Sequence, residues 1–206
     1  MIHRIYNSKT HVLLDNGHGI DTPGKRSPVF ADGTQLFEYE FNRDIVSKIS
    51  GYLQLSKISH SIVVPEENDI PLPDRVERIN NFCNENKKQF IYLVSIHGNA
   101  AKNPSANGIE VWTSKGNTKS DELAPYFYNS LKKLGWKMRP NNSLELDREE
   151  NFYILKKTVC PAILTENGFY TNYNECKLMN EFYWRQQIAL AHVRAINEIE
   201  FDYAVK

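Results

Sequence analysis

The chain alternates between short apolar runs and longer segments with a helical repeat of apolar positions. HVLLDNGHGI (11–20) and FIYLVSIHGNA (90–100) each open with a run rich in Val, Leu and Ile. Such runs read as buried strands. QLFEYEFNRDIVSKISGYLQ (35–54) places Phe37, Phe41, Ile45, Ile49 and Leu53 four residues apart, the mark of an amphipathic helix with that row inward. The order along the chain is strand 11–15, helix 38–56, strand 60–64, helix 73–87, strand 90–96, strand 108–113, a helix near 120–134, strand 162–166 and helix 181–199. In the last helix Phe182, Ile188, Leu190, Ala191, Val193, Ile196 and Ile199 make a broad apolar face. Strands alternating with helices predict an α/β fold. Residues 19–34 and 137–151 read as loops, the first for its three glycines and two prolines, the second for its polarity.

The pattern also predicts where chemistry lies. In open α/β sheets ligands bind beyond the carboxyl ends of the strands. His18 and His97 each follow a strand and are flanked by glycine, which permits sharp turns and close approach. Glu166 closes the strand in CPAILTENGF (160–169). Glu38 sits at the first turn of its helix beside the inward row, whereas Glu40 falls on the exposed side. Two imidazoles and a carboxylate suit Zn²⁺, whose catalytic sites use three protein ligands and a water. A further carboxylate is then needed to move the proton. His18, Glu38 and His97 are the ligand candidates, and Glu166 the acid/base. Each also has a plainer reading taken alone: a hydrogen-bonded strand-end histidine, a helix-start acid on the dipole, or a strand-end ion pair. The repetition at strand ends favours the joint reading.

The motifs carry a resemblance. Asp15-Asn16-Gly17-His18-Gly19-Ile20, Glu38 with Asn42, Leu72 to Arg75 through Asn80, Ser95-Ile96-His97-Gly98-Asn99-Ala100, Gly108-Ile109-Glu110-Val111, and the run from Pro161 to Asn172 occur in this order. In them the chain resembles the zinc-dependent N-acetylmuramoyl-L-alanine amidases of the amidase-3 type, which are cell-wall hydrolases. Asn16 and Ile20 depart from the family's usual proline and glycine. The resemblance implies a twisted mixed β-sheet flanked by helices, with the zinc site at the C-terminal ends of strands. It assigns His18, Glu38 and His97 to one Zn²⁺ with a catalytic water, and Glu166 to catalysis. It also suggests Asn99 and Arg139 as substrate contacts. The implied reaction is hydrolysis of the amide between the lactoyl group of N-acetylmuramic acid and L-alanine in peptidoglycan, by zinc-activated water. Two other readings stay open: a zinc peptidase or carboxypeptidase-like hydrolase cutting another amide, and a non-catalytic wall-binding protein of the same fold.

Composition narrows the setting. With 206 residues, 41% of them hydrophobic, the chain is long enough for a single domain over 1–206, its motif-bearing core near 10–196. The 25 basic and 25 acidic residues balance, so no bulk attraction to nucleic acid is expected. No stretch approaches the ~18 apolar residues of a membrane span. MIHRIYNSKT lacks a leader's apolar run. The expectation is therefore a protein made in the cytoplasm that acts on the wall, as a phage endolysin released at lysis does, or a chain separated from its leader. The 112–152 interval is too short for a long autoinhibitory insertion, which implies an open cleft. Cys83, Cys160 and Cys176 have no C-x-x-C spacing and read as free thiols, with Cys83 and Cys160 buried. Trp112, Trp136 and Trp184 could stack on sugar but read first as packing residues. Asn141-Asn142-Ser143 matches a glycosylation acceptor only formally.

Overall fold

The structure, a computed structural model, describes residues 8–141 and 146–204. Residues 1–7 of MIHRIYNSKT, and Asn142 and Ser143 of the glycosylation tripeptide, fall outside these residues. Strands β1 (Thr10–Asn16), β2 (His60–Ile62), β3 (Phe90–Asn99), β4 (Ile109–Thr113), β5 (Arg148–Glu149) and β6 (Ala162–Phe169) form one sheet in the order β2-β1-β3-β6-β4-β5. Pairs β1–β2, β1–β3, β3–β6 and β4–β5 are parallel, and β4–β6 is antiparallel. The helices are α1 (Glu38–Leu55), α2 (Leu72–Glu85), α3 (Lys119–Lys132), α4 (Tyr153–Lys157), α5 (Tyr173–Asn180) and α6 (Phe182–Ala204). The expected mixed α/β sheet is thus present. Among the described residues no helix is long and apolar enough to cross a membrane.

The period-2 alternation of the strands divides the core in two. Val12, Leu14, Tyr92, Val94, Ile96 and Ile163 join α1, α3 and α6 in a larger cluster. Leu13, Ile91, Leu93, Ala162 and Leu164 join α2 and α4 in a smaller one. By the same parity Asp15, Ser95, His97 and Glu166 belong to the second face, where helical cover is thinner. A cleft can therefore open there at the strand ends.

Several elements differ from the sequence reading. The short α4 and β5 carry too few residues for a periodic signal. The helix α5 begins at the Asn172 cap, whose side chain accepts from the Asn174 and Glu175 amides. The strand β3 runs on past His97 to Asn99 because β6 continues beside it, with a register shift between His97 and Asn99. In α6, Ala189, His192 and Ala195 face inward, while Phe182 is 68% exposed. Cys83 and Cys160 are half-buried rather than buried.

One buried ion pair fixes the mouth of β1. Arg75 and Asp15 are 2% and 1% exposed, with Arg75 Nη1 2.8 Å from Asp15 Oδ1. Arg75 also donates to the carbonyls of Asn16 (3.2 Å) and Ile70 (2.7 Å) and to Asp69 Oδ1 (2.7 Å). Ser95 Oγ donates to Asp15 Oδ2 at 2.6 Å. Removing one partner of such a pair leaves an uncompensated buried charge. Arg75→Ala is expected to lose about 3–5 kcal/mol of stability in urea unfolding; a loss under about 1 kcal/mol would show that the pair does not hold the turn.

Candidate active site

The turn after β1 holds His18 in a left-handed conformation, φ +66°. For a residue with a Cβ this costs about 1–2 kcal/mol, so other contacts must fix it. Arg43 Nη1 donates to the His18 carbonyl at 2.6 Å. Asn42 Nδ2 donates to the Gly17 carbonyl at 2.9 Å. The flanking glycines serve packing rather than positive φ. A Cβ on Gly17 would lie 2.0 Å from His97 Cε1, and one on Gly19 would lie 2.0 Å from the Asp69 amide nitrogen.

His18 and His97 meet over one carboxylate. Glu38 is the first residue of α1, and its side chain is 1% exposed. His18 Nε2 lies 3.4 Å and His97 Nδ1 3.1 Å from the same atom, Glu38 Oε1. The other oxygen accepts from Tyr170 Oη at 3.2 Å, and Lys25 Nζ stands 4.0 Å from it. The rings of His18 and His97 are edge-on, with centroids 5.1 Å apart. Burial alone would raise the Glu38 carboxyl, but the hydrogen bonds and charges of the two histidines overcome it and hold the group well below the usual carboxylate range. A buried anion of this kind demands a cation.

The donor set fits a metal ion. One atom from each of His18, Glu38 and His97 can be chosen so that all lie within 4.8 Å of one another. Ligands at about 2.0–2.1 Å around a tetrahedral ion stand about 3.3 Å apart, close to the two separations measured from Glu38 Oε1. Glu166 lies opposite His97 in the β3–β6 register but outside this group. Its Oε2 is buried without a hydrogen-bond partner. Burial pushes its carboxyl up to about 8, against the pull of His97 and with the charges of Glu38 and Glu110 adding to the rise.

A family model described as N-acetylmuramoyl-L-alanine amidase, Amidase_3, matches residues 12–198. The chain belongs to this family. It is 29% identical over 197 residues to the endolysin of Bacillus phage SPP1, covering 91% of this chain and 65% of that protein. It is 24% identical over 186 residues to the amidase LytC of Bacillus subtilis, covering 87% of this chain and 33% of LytC. The chain thus spans less than two thirds of either relative. Its fold matches the N-acetylmuramoyl-L-alanine amidase from Clostridium difficile 630 with a TM-score of 0.79 and 29% identity, covering 93% of this chain and 96% of that one.

In this amidase-family chain the four residues line a cleft of about 490 Å³. His18 and His97 keep 19% and 16% exposure, so the site reaches solvent. Asn99 also lines the cleft, and its Nδ2 donates to Glu110 Oε2 at 2.7 Å. Arg139 is not among the residues that line the cleft. Its Nη1 lies 3.1 Å from Glu110 Oε1 and its guanidinium stacks over Phe169. Trp112 packs edge-on against Phe152, and Trp136 packs tilted against Trp184. Residues the sequence reading passed over include Tyr170, Lys25, Phe152 and Tyr153, which line the cleft as well. Tyr170 lies inside the Pro161–Asn172 motif and Lys25 in the 19–34 loop that directly follows His18, whereas Phe152 and Tyr153 carried no such signal. Glu175 works behind the site, accepting from the amides of Gly108 (2.7 Å) and Phe169 (2.6 Å) and from Trp136 Nε1 (2.9 Å).

Because the Gly17 backbone abuts the His97 ring, Gly17→Ala must displace that imidazole. The expected result is a loss of about 1–3 kcal/mol in thermal unfolding and a fall of roughly tenfold or more in divalent-metal affinity. Unchanged values of both would mean that the ring position does not depend on this contact.

Proposed function

We propose that this chain is the catalytic domain of a zinc-dependent N-acetylmuramoyl-L-alanine amidase. It hydrolyses the amide that joins the lactoyl group of N-acetylmuramic acid to the L-alanine of the stem peptide. The observation that carries the reading is the juxtaposition, in a chain of this family, of His18, Glu38 and His97 with the partnerless Glu166 carboxyl on one cleft floor. His18, Glu38 and His97 would hold Zn²⁺. When bound there, the ion acts as a Lewis acid that polarises the scissile carbonyl and makes water more acidic.

The remaining work falls to the chain itself. A carboxyl with a value near neutrality can both accept and return a proton. Glu166 takes a proton from the attacking water and delivers it to the alanine nitrogen as the amide C–N bond breaks. The products are a free lactoyl carboxylate and a free amine. Asn99 and Arg139, both held by Glu110, would contact the substrate. The phage relative suggests release from the cytoplasm at host lysis as the setting; remodelling of the wall by the producing cell uses the same reaction.

Digestion of purified peptidoglycan by the zinc-loaded protein, with products identified by mass spectrometry, tests the reading. Stem peptides with a free L-alanine amino group and peptide-free glycan strands are expected. Cuts within the stem peptide would move the enzyme to the peptidases, and an intact polymer would favour a binding role. Glu166→Gln is expected to lower turnover by about 10²–10⁴-fold with zinc content unchanged; undiminished turnover would remove Glu166 from the chemistry.

A further inference from the structure

Away from the cleft, one pair of nucleophilic side chains has no part in the proposed reaction. Cys83 stands in the last turns of α2, and Cys160 just ahead of β6. Both are half-buried and pack against the smaller core cluster. Asn80 brings them together. Its Nδ2 donates to the Lys157 carbonyl at 3.1 Å, and its Oδ1 accepts from the Val159 amide at 2.9 Å. These two bonds clamp residues 157–159 onto α2. Cys83 follows Asn80 by three residues and so shares its face of the helix. On the far side of Cys160, the Leu93 amide donates to the Pro161 carbonyl at 2.8 Å. The Asn80 clamp and the shared core cluster thus set Cys83 beside the segment that carries Cys160, and each thiol shifts the titration of the other.

Their place in the fold gives the pair a consequence. The cleft is walled by Leu72 and Arg75 from α2 and by Tyr153 and Ile154 from α4. Cys83 lies further along the first of these helices, and Cys160 three residues after the end of the second. Two sulfurs alone do not make a metal site, and among the described residues no third metal-binding group joins them. Cys176 is buried in α5, on the larger core cluster.

We propose that Cys83 and Cys160 form an oxidisable pair that closes into an intramolecular disulfide on meeting a low-molecular-weight disulfide, covalently tying α2 to the segment after α4. The Cys83 thiolate attacks the small disulfide, forming a mixed disulfide and releasing one small thiol. Cys160 then gives up its proton and attacks Cys83 Sγ, displacing the second small thiol, which takes up that proton. Two protein thiols are oxidised and one small disulfide is reduced to two thiols. The direction agrees with Cys83 attacking first: the Cys160 thiol lowers the Cys83 pKa, while Cys83 and burial raise that of Cys160. A chain that leaves a reducing compartment for an oxidising one gains the link on the way.

The full folded chain is incubated with oxidised glutathione, then denatured for thiol counting and peptide mapping. Free thiols are expected to fall from three to one. A peptide linking Cys83 to Cys160, short of two hydrogens, should appear in monomeric protein. Closing so long a loop should raise Tm by roughly 5–15 °C, reversibly on addition of a dithiol reductant. Cys83→Ser and Cys160→Ala should each abolish the linked peptide and the Tm rise; if one fails to fold, the other decides. Three persisting thiols, stable glutathione adducts on separate cysteines, or a link through Cys176 would overturn the proposal. None of these readouts depends on the amidase activity.

Discussion

A carboxylate taken out of water governs this site. Glu38 lies at the start of α1 with almost no exposure, and such a group costs several kcal/mol unless it is compensated. Its partners come from three other parts of the chain: His18 from the turn after β1, His97 from β3, and Tyr170 from the end of β6. None could satisfy it alone. The helix dipole favours an anion at the N-terminus of α1, but the two imidazoles supply the directed donors. The same gathering that satisfies the carboxylate builds a place for a cation.

Other buried carboxylates repeat the device one layer back. Asp15 anchors Arg75 and Ser95 beneath the His18 turn. Glu110 holds Asn99 and Trp112 by hydrogen bonds and Arg139 and Arg148 by charge. Glu175 ties the amides on either side of β4 and β6 to Trp136. Each acid fixes backbone or side chains near the sheet's end. Glu166 differs in that neither a hydrogen bond nor an ion pair is found at its buried Oε2 among the described residues, and burial raises its affinity for a proton.

The strands were legible because they are short continuous apolar runs, and with them the positions of His18, His97 and Glu166. That β3 and β6 are neighbours, with His97 opposite Glu166, came from the sheet pairing. The row from Phe41 to Leu53 likewise fixed α1 and brought Glu38 near. Some features had no local signal. The ion pair of Arg139 with Glu110 crosses a loop that sequence spacing does not describe. Gly17 looked like a turn glycine, whereas its lack of a side chain makes room for His97, 80 residues away. The inward turn of His192 in α6 depends on Thr165 and the Ile188 carbonyl accommodating its ring nitrogens. Tertiary contacts decided each case.

The central claim is that Glu38 gathers His18 and His97 into a zinc-holding group. Elemental analysis of the purified protein against Glu38→Ala, with circular dichroism to show that both are folded, tests it most directly. The account predicts close to one zinc per folded wild-type chain and a loss of most of it in Glu38→Ala. A folded Glu38→Ala protein that keeps the wild-type zinc content would contradict the account.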